Sequence, residues 1–166
     1  MSNTLPFIIV ALAAITAAAI DLRIRRVPNV LTASIALVGL GLAAVGLGRV
    51  GIWPALAGCL VGLALMLPGY LIGAMGGGDV KLLAAVGTLL GPGATLRAFV
   101  ASAIAGGLIA IFVAWRRGRF AATVAGAAVL ATSVGSRIDE ISDTRRDNRF
   151  AYAPAIAVGV IVAALV

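Results

Sequence analysis

The sequence predicts an all-α polytopic membrane protein, with one domain over residues 1–166 and a bundle of about six transmembrane helices. Three observations predict this. Hydrophobic residues make up 62% of the chain and charged residues only 11%, where a soluble domain carries about 25% charged residues. Several apolar runs approach the ~20 residues that a helix needs to cross a ~30 Å hydrocarbon core. The basic residues sit in short clusters between those runs, the pattern of loops facing the cytoplasm.

The runs follow in order. The first, Leu5 to Ile20, ends in Ala17-Ala18-Ala19, which resembles a signal cleavage site. No Lys or Arg precedes it, whereas Arg23, Arg25 and Arg26 follow it. A signal peptide has the opposite bias, so the run is expected to be a retained span with its N-terminus outside. The second, Val30 to Leu47, opens after Pro28-Asn29, and proline suits a helix start, where its missing N–H costs nothing. The third is Ile52 to about Met75, followed by a glycine-rich loop at 76–79. The fourth, Val80 to Leu90, is short and ends at Gly91-Pro92-Gly93. The fifth is about Leu96 to Trp115 and the last is Ala151 to Val166.

The alanine-rich segment 120–134 is either a seventh span or a helix on the cytoplasmic side. With six spans, 11 basic residues lie inside and two, Arg49 and Arg97, lie outside. If 120–134 crosses, the division becomes 7 against 6. The positive-inside bias favours six spans with both termini outside. Glycines at four-residue spacing (Gly58 and Gly62, then Gly69, Gly73 and Gly77) let helices approach closely in lipid. No long internal repeat marks an inverted-repeat transporter.

Composition also narrows the chemistry. The net charge of +7 is spread over loops rather than gathered in a basic tail, so no nucleic-acid partner is expected, and the bilayer is the expected surroundings. The single cysteine, Cys59, lies in an apolar run and is read as a small packing residue. Histidine is absent. That excludes Ser-His-Asp and Cys-His catalysis and the usual histidine-containing zinc sites. No metal site and no cofactor is expected.

Six acids remain. Asp139, Glu140, Asp143 and Asp147 share the stretch Arg137 to Arg149 with four arginines, a neutral solvated loop or surface helix. Asp21 and Asp79 each stand at the end of an apolar run, where an ionisable group is costly and becomes a functional candidate. Each also has a plainer reading. Asp21 can pair with Arg23 or Arg25, although it stands near a helix C-terminus, where the macrodipole disfavours an anion. Asp79 can simply cap the helix that follows it. In the six-span topology, however, both reach the cytoplasmic side at one depth. Two close carboxylates can share a proton: one activates a water and the other donates a hydrogen bond to a scissile carbonyl. The alternative is a small proton- or ion-coupled transporter using Asp21 and Asp79; a structural subunit of a secretion or pilus assembly is a third reading.

The sequences around the two acids are specific. Asp21-Leu22-Arg23-Ile24-Arg25-Arg26-Val27-Pro28-Asn29 resembles the first aspartate motif of the prepilin peptidases. Gly76-Gly77-Gly78-Asp79-Val80-Lys81-Leu82 resembles their Gly-x-Gly-Asp-x-Lys motif, and Phe150 to Ala157, with Pro154, resembles the start of their last span. The resemblance implies an intramembrane aspartic endopeptidase of the inner membrane, with its active site facing the cytoplasm. Its substrates would be type IV prepilins or pseudopilins, cut where a leader ending in glycine meets an apolar helix. Asp21 and Asp79 would be the catalytic pair. Gly76 and Gly78 would shape the loop, Lys81 would be an auxiliary charge, and Pro28 and Asn29 would order the turn after Asp21. The chain resembles the short form found with tight-adherence pili, without the cysteine-paired region linked to N-methylation, so no methylation is expected.

Overall fold

The computed structural model describes residues 4–24, 27–71, 75–116 and 153–165. All of the regular structure there is helical. We number the helices α1 (Thr4–Ile24), α2 (Asn29–Ala44), α3 (Ile52–Leu71), α4 (Gly77–Leu90), α5 (Pro92–Arg116) and α6 (Ala153–Leu165). The expected order of apolar runs is reproduced. The segment 120–134 and the polar stretch from Arg137 to Arg149 lie outside the described residues.

Several boundaries differ from the sequence reading, each for a local reason. α1 continues past its apolar run to Ile24, so Asp21 lies within its last turn rather than at its end. α2 stops at Ala44, because Gly46 takes a left-handed φ of 74° and the N–H groups of Leu47 and Gly48 both return to the Leu42 carbonyl. α4 starts at Gly77, three residues before Val80, so Gly77, Gly78 and Asp79 form helix rather than loop. α5 begins at Pro92 rather than Leu96, since a single residue, Gly91 at φ 75°, turns the chain between α4 and α5.

α4 is the centre of the bundle and touches all five other helices. From Asp79 to Leu90 every residue except Lys81 is buried. Glycines make the approach possible. A methyl group on Gly58 would collide with the Gly87 carbonyl, and one on Gly62 would lie 2.7 Å from the Leu83 carbonyl oxygen, so α3 meets α4 backbone to backbone. Gly39 of α2 receives Thr88 of α4, and Gly159 of α6 receives Ser102 of α5. The buried hydroxyls bond to carbonyls three or four residues earlier: Thr88 to Ala85 (2.7 Å), Thr95 to Gly91 (2.7 Å) and Ser102 to Ala98 (2.6 Å). No buried side-chain nitrogen or oxygen among the described residues lacks a hydrogen bond.

The outer surface is apolar. Leu37, Leu60, Ile104 and Leu108 are all exposed, an arrangement suited to lipid rather than water. Two helices, Ile52–Leu71 and Pro92–Phe112, are long and apolar enough to cross a bilayer. The central helix, with 14 residues, is only about 21 Å long at 1.5 Å per residue, short of the ~30 Å hydrocarbon core.

Candidate active site

One end of the bundle gathers the last turn of α1, the first turns of α2 and α4, and the start of α6. Asp79 is the third residue of α4 and is 7% exposed. It is not the N-cap that the sequence allowed; Gly76 holds that position. The Asp79 carboxylate accepts the Gly76 N–H (3.3 Å), and the Asp79 N–H donates to the Gly76 carbonyl (3.1 Å). This is half of a capping box, and glycine has no side chain to complete it.

Asp21 is 4% exposed. Its carboxylate accepts the backbone N–H of Ala153, the first residue of α6, at 3.3 Å. That contact answers the objection raised by the C-terminus of α1. The positive end of the α6 dipole and one of its unpaired N–H groups face the acid. Arg23 is exposed, and Arg25 lies outside the described residues. Asp21 and Asp79 come from helices in contact and lie within electrostatic reach of each other.

The helix registers give their depth. Gly58 against Gly87 and Gly62 against Leu83 place Asp79 level with Met66 of α3. Gly159 against Ala98 and Ser102 places Ala153, and the Asp21 carboxylate bonded to it, level with Gly106 of α5. Met66 is 14 residues beyond the start of α3 at Ile52, and Gly106 is 14 beyond the start of α5 at Pro92. Two independent registers therefore put both acids about 21 Å from the Gly91 end. α3 runs five residues past Met66 to Leu71, and α5 ten past Gly106 to Arg116. The carboxylates are thus recessed about 7.5 Å below the end of α3 and about 15 Å below that of α5.

The glycines act here through size, not through unusual backbone angles. Gly76 has ordinary extended angles, φ −80° and ψ 148°, and the only positive-φ glycines described are Gly46 and Gly91. Neither Gly76 nor Gly78 takes a backbone conformation closed to other residues. A methyl on Gly78 would lie 3.2 Å from Val27 Cβ and 3.4 Å from the Val27 nitrogen. One on Gly77 would meet the Tyr70 ring at 3.3 Å. Pro28 is the N-cap of α2, with φ −62° and ψ 138°. Asn29 opens that helix, and Lys81 Nζ donates to Asn29 Oδ1 at 3.0 Å. The seven candidate site residues, Asp21, Pro28, Asn29, Gly76, Gly78, Asp79 and Lys81, thus lie at this one end. Three contributors went unassigned there: the Ala153 N–H, Val27 and Tyr70. Pro154, near the start of the last apolar run, marked a helix N-terminus and was the available signal for Ala153.

No cluster of three or more potential metal-ligating side chains occurs among the described residues. What the site holds is two carboxylates at a common depth, both shielded from bulk water, on helices packed together. A type IV leader peptidase family model matches residues 8–111 of the 166. The chain belongs to the type IV leader peptidase family. It is an aspartic prepilin peptidase and a polytopic membrane protein. The matched region contains Asp21, Asp79 and both surrounding motifs, and it ends before the Phe150 to Ala157 segment. No curated protein and no solved structure matches the peptidase significantly. Membership of a peptidase family is at odds with the transporter alternative.

Proposed function

We propose that Asp21 and Asp79 are the catalytic pair of a single-domain endopeptidase that removes the leader of type IV prepilins or pseudopilins, of the tight-adherence kind, at the cytoplasmic face of the inner membrane. The observation that carries this is that the two isolated acids lie buried at one depth and within electrostatic reach of each other, each against a helix N-terminus. Charge supports the orientation. Arg23, Lys81 and Arg116 lie towards the aspartate end, and Arg49 and Arg97 lie towards the other. Arg25, Arg26 and the arginines of 117–149 enlarge the bias in the six-span topology.

Two adjacent carboxylates do not both ionise cheaply, so one proton is held between them. The ionised member takes a proton from a water, whose oxygen attacks the scissile carbonyl carbon. The protonated member donates to the carbonyl oxygen as the tetrahedral intermediate forms. Breaking the C–N bond then sends a proton to the leaving amine. Neither a metal nor a covalent intermediate is required. With the pair recessed about 7.5 Å below the end of α3, the substrate must lead roughly two extended residues down to it, at ~3.3 Å per residue. A helical segment has its carbonyls engaged and is too short per residue to make this descent. The bond therefore lies just before the apolar helix, where glycine eases the extended approach.

The test is co-expression with a candidate prepilin in membranes. The wild-type chain should shorten it at the junction of leader and apolar helix, read by N-terminal sequencing, and Asp79→Asn should leave it full length. Cleavage by Asp79→Asn, or a cut inside the apolar segment, would overturn the proposal.

A further inference from the structure

The hydrogen bond from Lys81 to Asn29 has no part in those proton transfers. It joins residues 52 apart in sequence, and both side chains are exposed. A surface ammonium ordinarily stays in water; here it is directed at a neutral amide. The acceptor is held in place. Asn29 is the first residue of α2, its carbonyl accepts the Thr32 hydroxyl at 3.0 Å, and the Pro28 carbonyl accepts the N–H groups of Leu31 (3.1 Å) and Thr32 (3.3 Å). The donor is two residues beyond Asp79 in the first turns of α4.

Beside this bond, the link between α1 and α2 meets α4 through the close contact of Val27 with Gly78. That contact is apolar and non-directional. Asp21, at the far side of the same link, is tied to α6 rather than to α4. The approach of the carboxylates is therefore set by the packing of α1 on α6 and α4 together with the seating of Val27 and the start of α2 on α4. We propose that the Lys81–Asn29 bond is a positioning latch that seats the start of α2, with Val27 before it, on the first turns of α4 and so tunes the approach of Asp21 to Asp79. The inference rests on the reading of those two acids as the catalytic pair. Lys81 and Asn29 touch no reacting atom; they act through the two carboxylates. An exposed polar pair adds little to overall stability, so breaking it spares the fold. A displacement of ~1 Å at the reacting groups nevertheless costs up to ~100-fold in rate.

The test is a swap. Asn29→Lys sets two ammonium groups against each other, Lys81→Asn is too short to reach, and the double variant restores a Lys–Asn pair in reverse. Cleavage of the co-expressed prepilin is measured for all three, separating kcat from KM, with Asp79→Asn alongside. Each single substitution should lower kcat about tenfold with KM within about twofold, and the double variant should recover at least about fivefold over the worse single. As a second arm, Lys81→Met and Asn29→Leu should each lower kcat, and together no further. Multiplying losses in both arms, or a loss carried by KM, would overturn the latch and place Lys81 on the substrate. Cleavage by Asp79→Asn would instead overturn the catalytic pair itself, so the two failures are distinct.

Discussion

The two ends of the bundle use the same kinds of residue for different ends. At the Gly91 end, glycine is needed for its backbone: at φ 75°, Gly91 lets α4 turn directly into α5, and Thr95 bonds back to its carbonyl. Arginine there is structural, since Arg49 donates to the Ala164 carbonyl at 3.2 Å, satisfying a free carbonyl at the C-terminus of α6. At the aspartate end, glycine is needed for its lack of a side chain, because Gly78 admits Val27 at ordinary backbone angles. The cation there, Lys81, bonds a neutral amide beside a carboxylate pair. One end closes the chain and the other carries two buried acids on packed helices, so like substitutions should have unlike consequences.

The largest contrast is expected between two glycine substitutions. Gly78→Val puts two methyls where the first Cβ already lies 3.2 Å from Val27. The α1–α2 link must shift beside Asp79, and cleavage should fall about 100-fold while the thermal midpoint of the detergent-purified protein changes little. Gly91→Ala should do the reverse. At φ 75° and ψ 173° the backbone is in a region essentially confined to glycine, where an alanine costs about 1–3 kcal/mol, and its Cβ would also lie 3.0 Å from Val50. The midpoint should drop, and the rate per folded molecule should stay within about twofold. If Gly91→Ala lost rate without losing stability, the division between the ends would be wrong. The smallest effect belongs to Arg49→Met, which leaves the Ala164 carbonyl without its donor. A destabilisation of about 0.5–1.5 kcal/mol is expected, read in the same thermal assay, with cleavage unaffected.

Much of this arrangement was legible in the sequence. The helices and their order follow from the apolar runs, and Asp21 and Asp79 stand out because ionisable groups are rare at such run ends. The boundaries were less legible. Gly77 and Gly78 read as loop because glycine is a poor helix former, yet packing against Tyr70 and Val27 holds them in the first turn of α4. The use made of glycine stayed open for a related reason: a run of glycines signals conformational freedom and small size equally, and only the neighbouring chain decides which is used. The partner of Asp21 was hidden because Ala153 is 132 residues away and contributes a backbone N–H, which no side-chain pattern reports. Recession of the pair was hidden too, since it depends on the register of α3 against α4 and of α5 against α6.

The most direct test of the central claim, that two recessed acids act as one catalytic unit, is the cleavage rate of Asp21→Asn, Asp79→Asn and the double variant. All three are to be compared as inserted, folded protein. Each single substitution removes ionisation with almost no change in size. If the acids share one proton and one water, each single variant should lose at least about 1,000-fold, and the double variant should be no slower than either, as for groups that act as a unit. A single variant retaining a tenth of the wild-type rate, or a double variant slower by the product of the two losses, would contradict the account.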